Sequence, residues 1–247
     1  MRLWALTLAC WSWLFLSNLA SAQAIEPVQD VHIIVMRMVA ARQNDREHIH
    51  PFTVKRDYQL FDQELQQKAR VIASIVVVPP DQKKYEIQSG EGGRAEKILR
   101  NILARETQPS KNSSQQELSP ENYEFQLLGL DGLSGRLCYK LAIRPRRQEE
   151  QLIRGHVWVD VGTYRIHRIE GQLAKNPSWW LRDLHILVDF AEVEGMWLRT
   201  FMHAIATVRF KGKYVVESRD LECHSAVDAF SLRSNPVLPS YGIEKHR

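Results

Sequence analysis

Nine histidines are the first residues to weigh for chemistry, because imidazole is a common metal ligand and titrates near neutral pH. His48 and His50 flank an expected helix-to-strand junction, and His156, His167, His185 and His203 fall on separate expected strands. There is no paired-His helix motif and no paired-Cys motif, so no metal site is assigned. No serine stands in the Gly-x-Ser-x-Gly pattern of a nucleophile elbow. Gly90-Glu91-Gly92-Gly93 is glycine-rich, but no Lys-Ser or Lys-Thr pair follows it and it reads as a strand-to-helix turn, not a phosphate cradle. Asp160 with Glu170, or Asp183 with Asp189, has the composition of a carboxylate pair for acid/base work. Charges on the exposed face of a sheet give the same pattern, and that reading is preferred. No catalytic residue and no cofactor is therefore assigned, and an enzyme is not expected.

The tryptophans carry more information. Trp158, Trp179, Trp180 and Trp197 all fall in the strand-rich second half, where they either line an apolar cavity or pack a core. Both readings stand at this level.

The elements that must position these residues follow from periodicity and turn residues. Met1-Arg2 followed by the apolar run Leu3 to Leu19, closing on Ala20-Ser21-Ala22 and Ala22-Gln23-Ala24, has the layout of a secretory signal. Residues 1–24 are expected to be removed, Cys10 with them, leaving about 223 residues outside the cytoplasm. The net charge of +4 is scattered along the chain, which does not support nucleic-acid binding, since that normally shows a massed basic face.

Pro27 suits the first helical position, and Val28, Val31, Val35 and Met38 recur at helical spacing. Ile33, Ile34, Met36 and Val39 widen that face, so this helix is expected to be buried on more than one side. Strands are expected at Phe52 to Leu60, Ala69 to Val78 and Tyr85 to Gln88. A second helix opens after Gly92-Gly93, with Ile98, Leu99, Ile102 and Leu103 on one face. The polar stretch Thr107 to Ser119 reads as a surface loop.

Beyond it, turn residues such as Asp131-Gly132, Val161-Gly162-Thr163, Glu194-Gly195 and Lys211-Gly212 separate seven strands. They run from about 121 to 130, 134 to 144, 152 to 161, 164 to 173, 179 to 193, 196 to 209 and 213 to 223. Ten strands joined by short connections predict one large antiparallel sheet, and a sheet of that size curls. The fold class is therefore mainly β with two helices: a large curved antiparallel sheet forming an unclosed half-barrel, its concave side covered by the helices. The domain spans 25–227, and 228–247 reads as a loosely ordered tail. Of the cysteines beyond the signal, Cys138 and Cys223, an oxidising compartment permits a disulfide, but both also suit small buried apolar positions, and a bond is not favoured.

The second half resembles a known family. The carriers of the resemblance are Asn122-Tyr123-Glu124-Phe125-Gln126-Leu127-Leu128-Gly129, then Gly135-Arg136-Leu137-Cys138-Tyr139-Lys140-Leu141 with Pro145-Arg146-Arg147. It continues through Gly155-His156-Val157-Trp158-Val159-Asp160, Arg168-Ile169-Glu170-Gly171 and Ala174-Lys175-Asn176-Pro177-Ser178-Trp179-Trp180. This ordered set is similar to bacterial outer-membrane lipoprotein-sorting, or LolA-like, proteins. The resemblance implies an open β-barrel with helices in its mouth, a periplasmic location, and an apolar surface that shelters acyl chains. The carrier's functional arginine and lid residues find no matching positions here.

What it implies is a periplasmic carrier or chaperone for lipid-modified proteins or other apolar cargo, in transient contact with envelope membrane proteins. The alternative is an RseB-like envelope sensor or interaction protein without carrier activity. The candidate ligand-binding residues of the apolar groove are Val31, Val35 and Met38 on the first helix, Ile98 and Ile102 on the second, and Trp158, Trp179 and Trp197 on the strands.

Overall fold

The computed structural model describes residues 30–108, 113–176 and 181–225. The expected signal segment 1–24, the tail 228–247 and Trp179 lie outside the described residues. Among the described residues, no helix is long and apolar enough to cross a membrane.

Helix α1, Val31–Glu47, starts where the Asp30 side chain accepts from the His32 backbone NH at 3.0 Å, which satisfies one of the free amides of the first turn. Ile34, Val35 and Met38 are buried. Ile33 and Met36, 41 % and 49 % exposed, point away from the core, so the helix is buried on one side and not, as expected, on several. Its wide apolar face is split by the helical period: positions 34, 35 and 38 share an arc that 33 and 36 do not.

Three strands follow, β1 (Phe52–Phe61), β2 (Gln67–Val78) and β3 (Gln82–Glu91). Helix α2, Glu96–Glu106, comes next and buries Leu99 and Leu103. The described part of the stretch read as a loop includes a short 3-10 turn, Ser113–Gln116. The meander then runs β4 (Tyr123–Leu133), β5 (Arg136–Pro145), β6 (Ile153–Asp160), β7 (Ile166–Leu173), β8 (Leu181–Val193), β9 (Met196–Val208) and β10 (Gly212–Ser225). All ten expected strands are present, with β3 longer than its expected segment.

The ten strands form one antiparallel sheet in the order β3-β2-β1-β10-β9-β8-β7-β6-β5-β4. Among the described residues, only the β10–β1 pairing joins strands far apart in sequence, and it converts two hairpin runs into one sheet. The sheet is not closed, since β3 and β4 are its edges.

Register shows which residues share a face, because directly paired residues in neighbouring strands project to the same side. One unbroken row reads Gly90, Val71, Tyr58, Ser218, Met202, Val188, Ile169, Val157, Leu141, Leu127 from edge to edge. Two separate cores sit on that face. Leu99 and Leu103 of α2 pack with Tyr58, Leu60 and Val71 at one end. Ile34, Val35 and Met38 of α1 pack with Leu141, Val157 and Val159 at the other. Each such side chain contributes about 1.5–3 kcal/mol by burial. Both helices therefore lie on one side of the sheet, over its two ends.

The backbones of β6 and β7 come unusually close at one pair of glycines. Gly155 pairs with Gly171, and a Cβ at either would fall 2.0 Å from the Glu170 carbonyl oxygen or 2.3 Å from that of Arg154. Only glycine permits the backbones to approach so closely. Cys138 and Cys223 are free. Cys138 pairs with Asp160 on the face away from the helices and Cys223 with Val54 on the helix face, with four strands between β10 and β5 in the sheet order. Opposite faces exclude a bond between them.

Candidate functional site

Between the two cores, the helix-bearing face has a middle that belongs to neither. Ile186 and Val188 on β8, Met202 and Ala204 on β9 and Val216 on β10 follow one another in register. All five are half-buried, and of them only Val216 touches a core. Alternation alone makes this strip, since each of these strands sends every second residue to the helix side. The result is an apolar band at the centre of the sheet, with α2 over one flank and α1 over the other.

The α2 flank is charged. Glu106, the last residue of α2, accepts from Tyr58 Oη at 2.9 Å and from Arg199 Nη2 at 2.5 Å, and it also pairs with Arg56. Arg56 forms a two-pronged pair with Asp220, with Nη2 3.0 Å from Oδ2. These groups come from β1, α2, β9 and β10, and the β1–β10 register places Arg56 opposite Asp220 and Tyr58 opposite Ser218. Burial works against the Arg56 charge, but the Asp220 hydrogen bond and the negative charges of Glu106 and Asp220 outweigh it and hold the guanidinium above its ordinary value. Burial, with the Glu106 charge, pushes the Tyr58 phenol well above its ordinary range, so it stays a neutral donor. Ser218 is 1 % exposed and its hydroxyl has no hydrogen-bond partner.

The α1 flank is held by a second polar contact. Arg165 places its Nη2 2.7 Å from Asp45 of α1, which is buried, and lies over the Trp197 ring at 5.1 Å. Near the start of α1 there is an open depression of about 290 Å³ lined by Val31, Val35, Tyr123 and Phe125, with Glu124 and Arg146.

The residues expected to line the groove are dispersed. Val35 and Met38 are core residues beneath α1, and Val31 packs partly against them. Ile102 packs against the other core, while Ile98, 47 % exposed, points to solvent. Trp197 sits beside α1 through Arg165, its indole NH donating to the Ile166 carbonyl at 2.9 Å. Trp158 is on the opposite side: it pairs with Lys140 and Arg168 in register, donates to Asp131 at 3.0 Å and stacks under the Lys140 ammonium. The period of two along β6 explains this, because Val157 and Val159 take the helix face and leave position 158 to the other.

Three of the four carboxylates weighed for acid/base work have partners in the sheet or its turns. Asp160 accepts from Gly162 and Thr163 in the β6–β7 turn, Asp189 pairs with Arg168 at 2.6 Å, and Glu170 lies 3.6 Å from His185. Among the described residues no group of His, Cys, Asp or Glu is arranged to hold a metal ion.

What these features define is an open, ten-stranded antiparallel half-barrel with two helices on one face and an apolar band between them. In comparisons with known proteins, residues 116–219 match a family of unknown function, DUF5686. No curated protein matches the chain. Solved structures to which the chain shows similarity include a putative outer membrane lipoprotein-sorting domain from Vibrio parahaemolyticus, 13 % identical, covering 77 % of this chain and 91 % of that one, with a TM-score of 0.44. A LolA superfamily protein from Nitrosomonas europaea is 12 % identical over 77 % of this chain and 93 % of that one, with a TM-score of 0.43. A DUF1329 family protein from Desulfovibrio piger is 14 % identical over 80 % and 93 %, with a TM-score of 0.42.

Proposed function

We propose that the protein is a periplasmic binding or carrier protein whose apolar band receives an acyl chain, borne by a lipid-modified protein or by another amphiphile. The observation that supports this reading is the strip Ile186, Val188, Met202, Ala204 and Val216. It is apolar and half-buried, and it lies on the same face as both helices but between their cores. A row of apolar side chains left between two helices is shielded on its flanks and open along its length, the shape an extended hydrocarbon fits. Each methylene taken out of water there contributes about 0.8 kcal/mol, so the function needs no catalytic group. The residues that do the binding in this reading are those of the strip, flanked by Trp197 and Ile102, with Val35, Met38 and Val31 supporting α1 from within its core.

Native mass spectrometry of protein purified from the periplasm tests it. Retained lipid or acylated peptide, released on unfolding, is the expected result. Protein that carries no such mass and binds no fluorescent acyl probe refutes it.

A further inference from the structure

The flank of the strip under α2 is charged. Glu106 is the C-terminal residue of α2, where the negative end of the helix dipole disfavours a carboxylate. It is held there by Arg56, Arg199 and the Tyr58 hydroxyl. Arg56 keeps Asp220 as a second partner, whereas Glu106 supplies the ion pair of Arg199. Were the Glu106 carboxylate to swing out, Arg56 and Arg199 would face Asp220 alone, two positive charges against one, beside a neutral phenol donor. The cluster is within reach of solvent: the side chains of Arg199 and Glu106 are 23 % and 18 % exposed.

A second observation lies next to it. Ser218 Oγ, buried and without a partner, is paired in register with Tyr58 on one side and Met202 of the strip on the other. A buried hydroxyl left unpaired is costly, and this one sits where the charged flank passes into the apolar strip, on the helix-bearing face. Donors from Arg56, Arg199, Tyr58 and Ser218 thus gather at one end of an apolar band.

We infer that Arg56 and Arg199 form a counter-ion site for an anionic head group, a carboxylate or a phosphate, on the amphiphile whose chain lies on the strip, and that Glu106 takes the place of that anion in this structure. The inference rests on the proposed function. It adds that the ligand is an anionic amphiphile, and that exchange of one carboxylate for another couples its binding to the end of α2.

The test uses the whole protein at pH 8 and a fluorescent acyl probe, displaced in parallel by palmitic acid, hexadecyl phosphate and hexadecanol. The acid or the phosphate, or both, is expected to displace the probe at least about tenfold more tightly than the alcohol, the worth of one charge-assisted hydrogen bond. Which of the two is tighter tells a fatty acid from a phospholipid-type head. Glu106→Gln removes the competing charge and is expected to tighten the anions by a similar factor while leaving the alcohol unchanged. Arg199→Gln is expected to bring the anions down to the alcohol. Equal displacement by all three on the native protein overturns the inference and leaves the apolar strip standing. A native protein that binds neither the probe nor any competitor overturns the strip reading, and this inference with it. The native comparison decides even where Arg199→Gln fails to fold, as judged by circular dichroism.

Discussion

Replacing Met202 with tryptophan puts a bulky, uncharged side chain into the middle of the apolar strip. Met202 is half-buried and belongs to neither core, so the larger ring projects into the open band without overpacking a closed interior, and stability is expected to change by no more than about 0.5 kcal/mol. An acyl chain on the strip would lose the positions over β9 between Val188 and Ser218. If about three methylenes are kept in water at about 0.8 kcal/mol each, binding weakens by about 2.4 kcal/mol, or roughly sixtyfold. Titration of a fluorescent acyl ester, measured beside urea unfolding of the same variant, separates the two effects. Unchanged probe affinity in a stably folded Met202→Trp protein would refute the placement of the ligand on the strip. So would a loss of affinity fully accounted for by a loss of stability.

Leu141→Ala, at a fully buried position beneath α1, is expected to cost about 2–5 kcal/mol in urea unfolding, and a cost under 1 kcal/mol would show that α1 is not docked on β5. Gly171→Ala drives a methyl to within 2.3 Å of the Arg154 carbonyl; it should destabilise more than Gly132→Ala, whose site has no atom within 4 Å, and equal midpoints would contradict the close β6–β7 approach. Trp158→Phe should leave acyl-probe binding unchanged, since Trp158 lies on the far face; a marked loss would place the ligand there instead. His167 supplies a pH signature. Burial first, then the Arg136 charge, lowers its pKa below the ordinary value, so between that lowered value and about pH 6.5 the unfolded chain binds more protons than the folded one. Stability from this group is complete above about pH 6.5 and falls as pH drops through that window. His167→Gln should flatten the slope of chemically measured stability there, and an unchanged slope would sink the assignment.

Much of the fold was legible in the chain itself. Period-two alternation, β-branched runs and turn residues such as Glu194-Gly195 and Lys211-Gly212 gave ten strands, because strand and hairpin signals are local and each turn occupies only a few residues. The second helix was placed by its apolar arc and the first by its spacing, but how much of the first helix was covered was not, since Ile33 and Met36 look no different in composition from Ile34 and Met38. The charged flank was missed altogether. Arg56, Glu106, Arg199 and Asp220 are spread over 165 positions of the chain, and nothing local signals that β10 returns to pair with β1.

Which residues face the helices was decided by tertiary structure, for a reason visible in the β8–β9 hairpin. The turn at Glu194-Gly195 pairs Val193 with Met196, and continued without interruption that register would set Val188 opposite Phe201. A bulge between Asp189 and Phe190 shifts the pairing, so that Val188 meets Met202 and Phe201 goes to the far face, beneath the Arg219 guanidinium. One extra residue in a strand exchanges the two faces of everything beyond it. The amino-acid sequence determines that these strands are apolar on alternate positions and where their turns lie. Whether a given alternate set becomes the floor of the strip or the outer surface depends on bulges and on long-range pairing, which are settled only when the whole sheet is assembled.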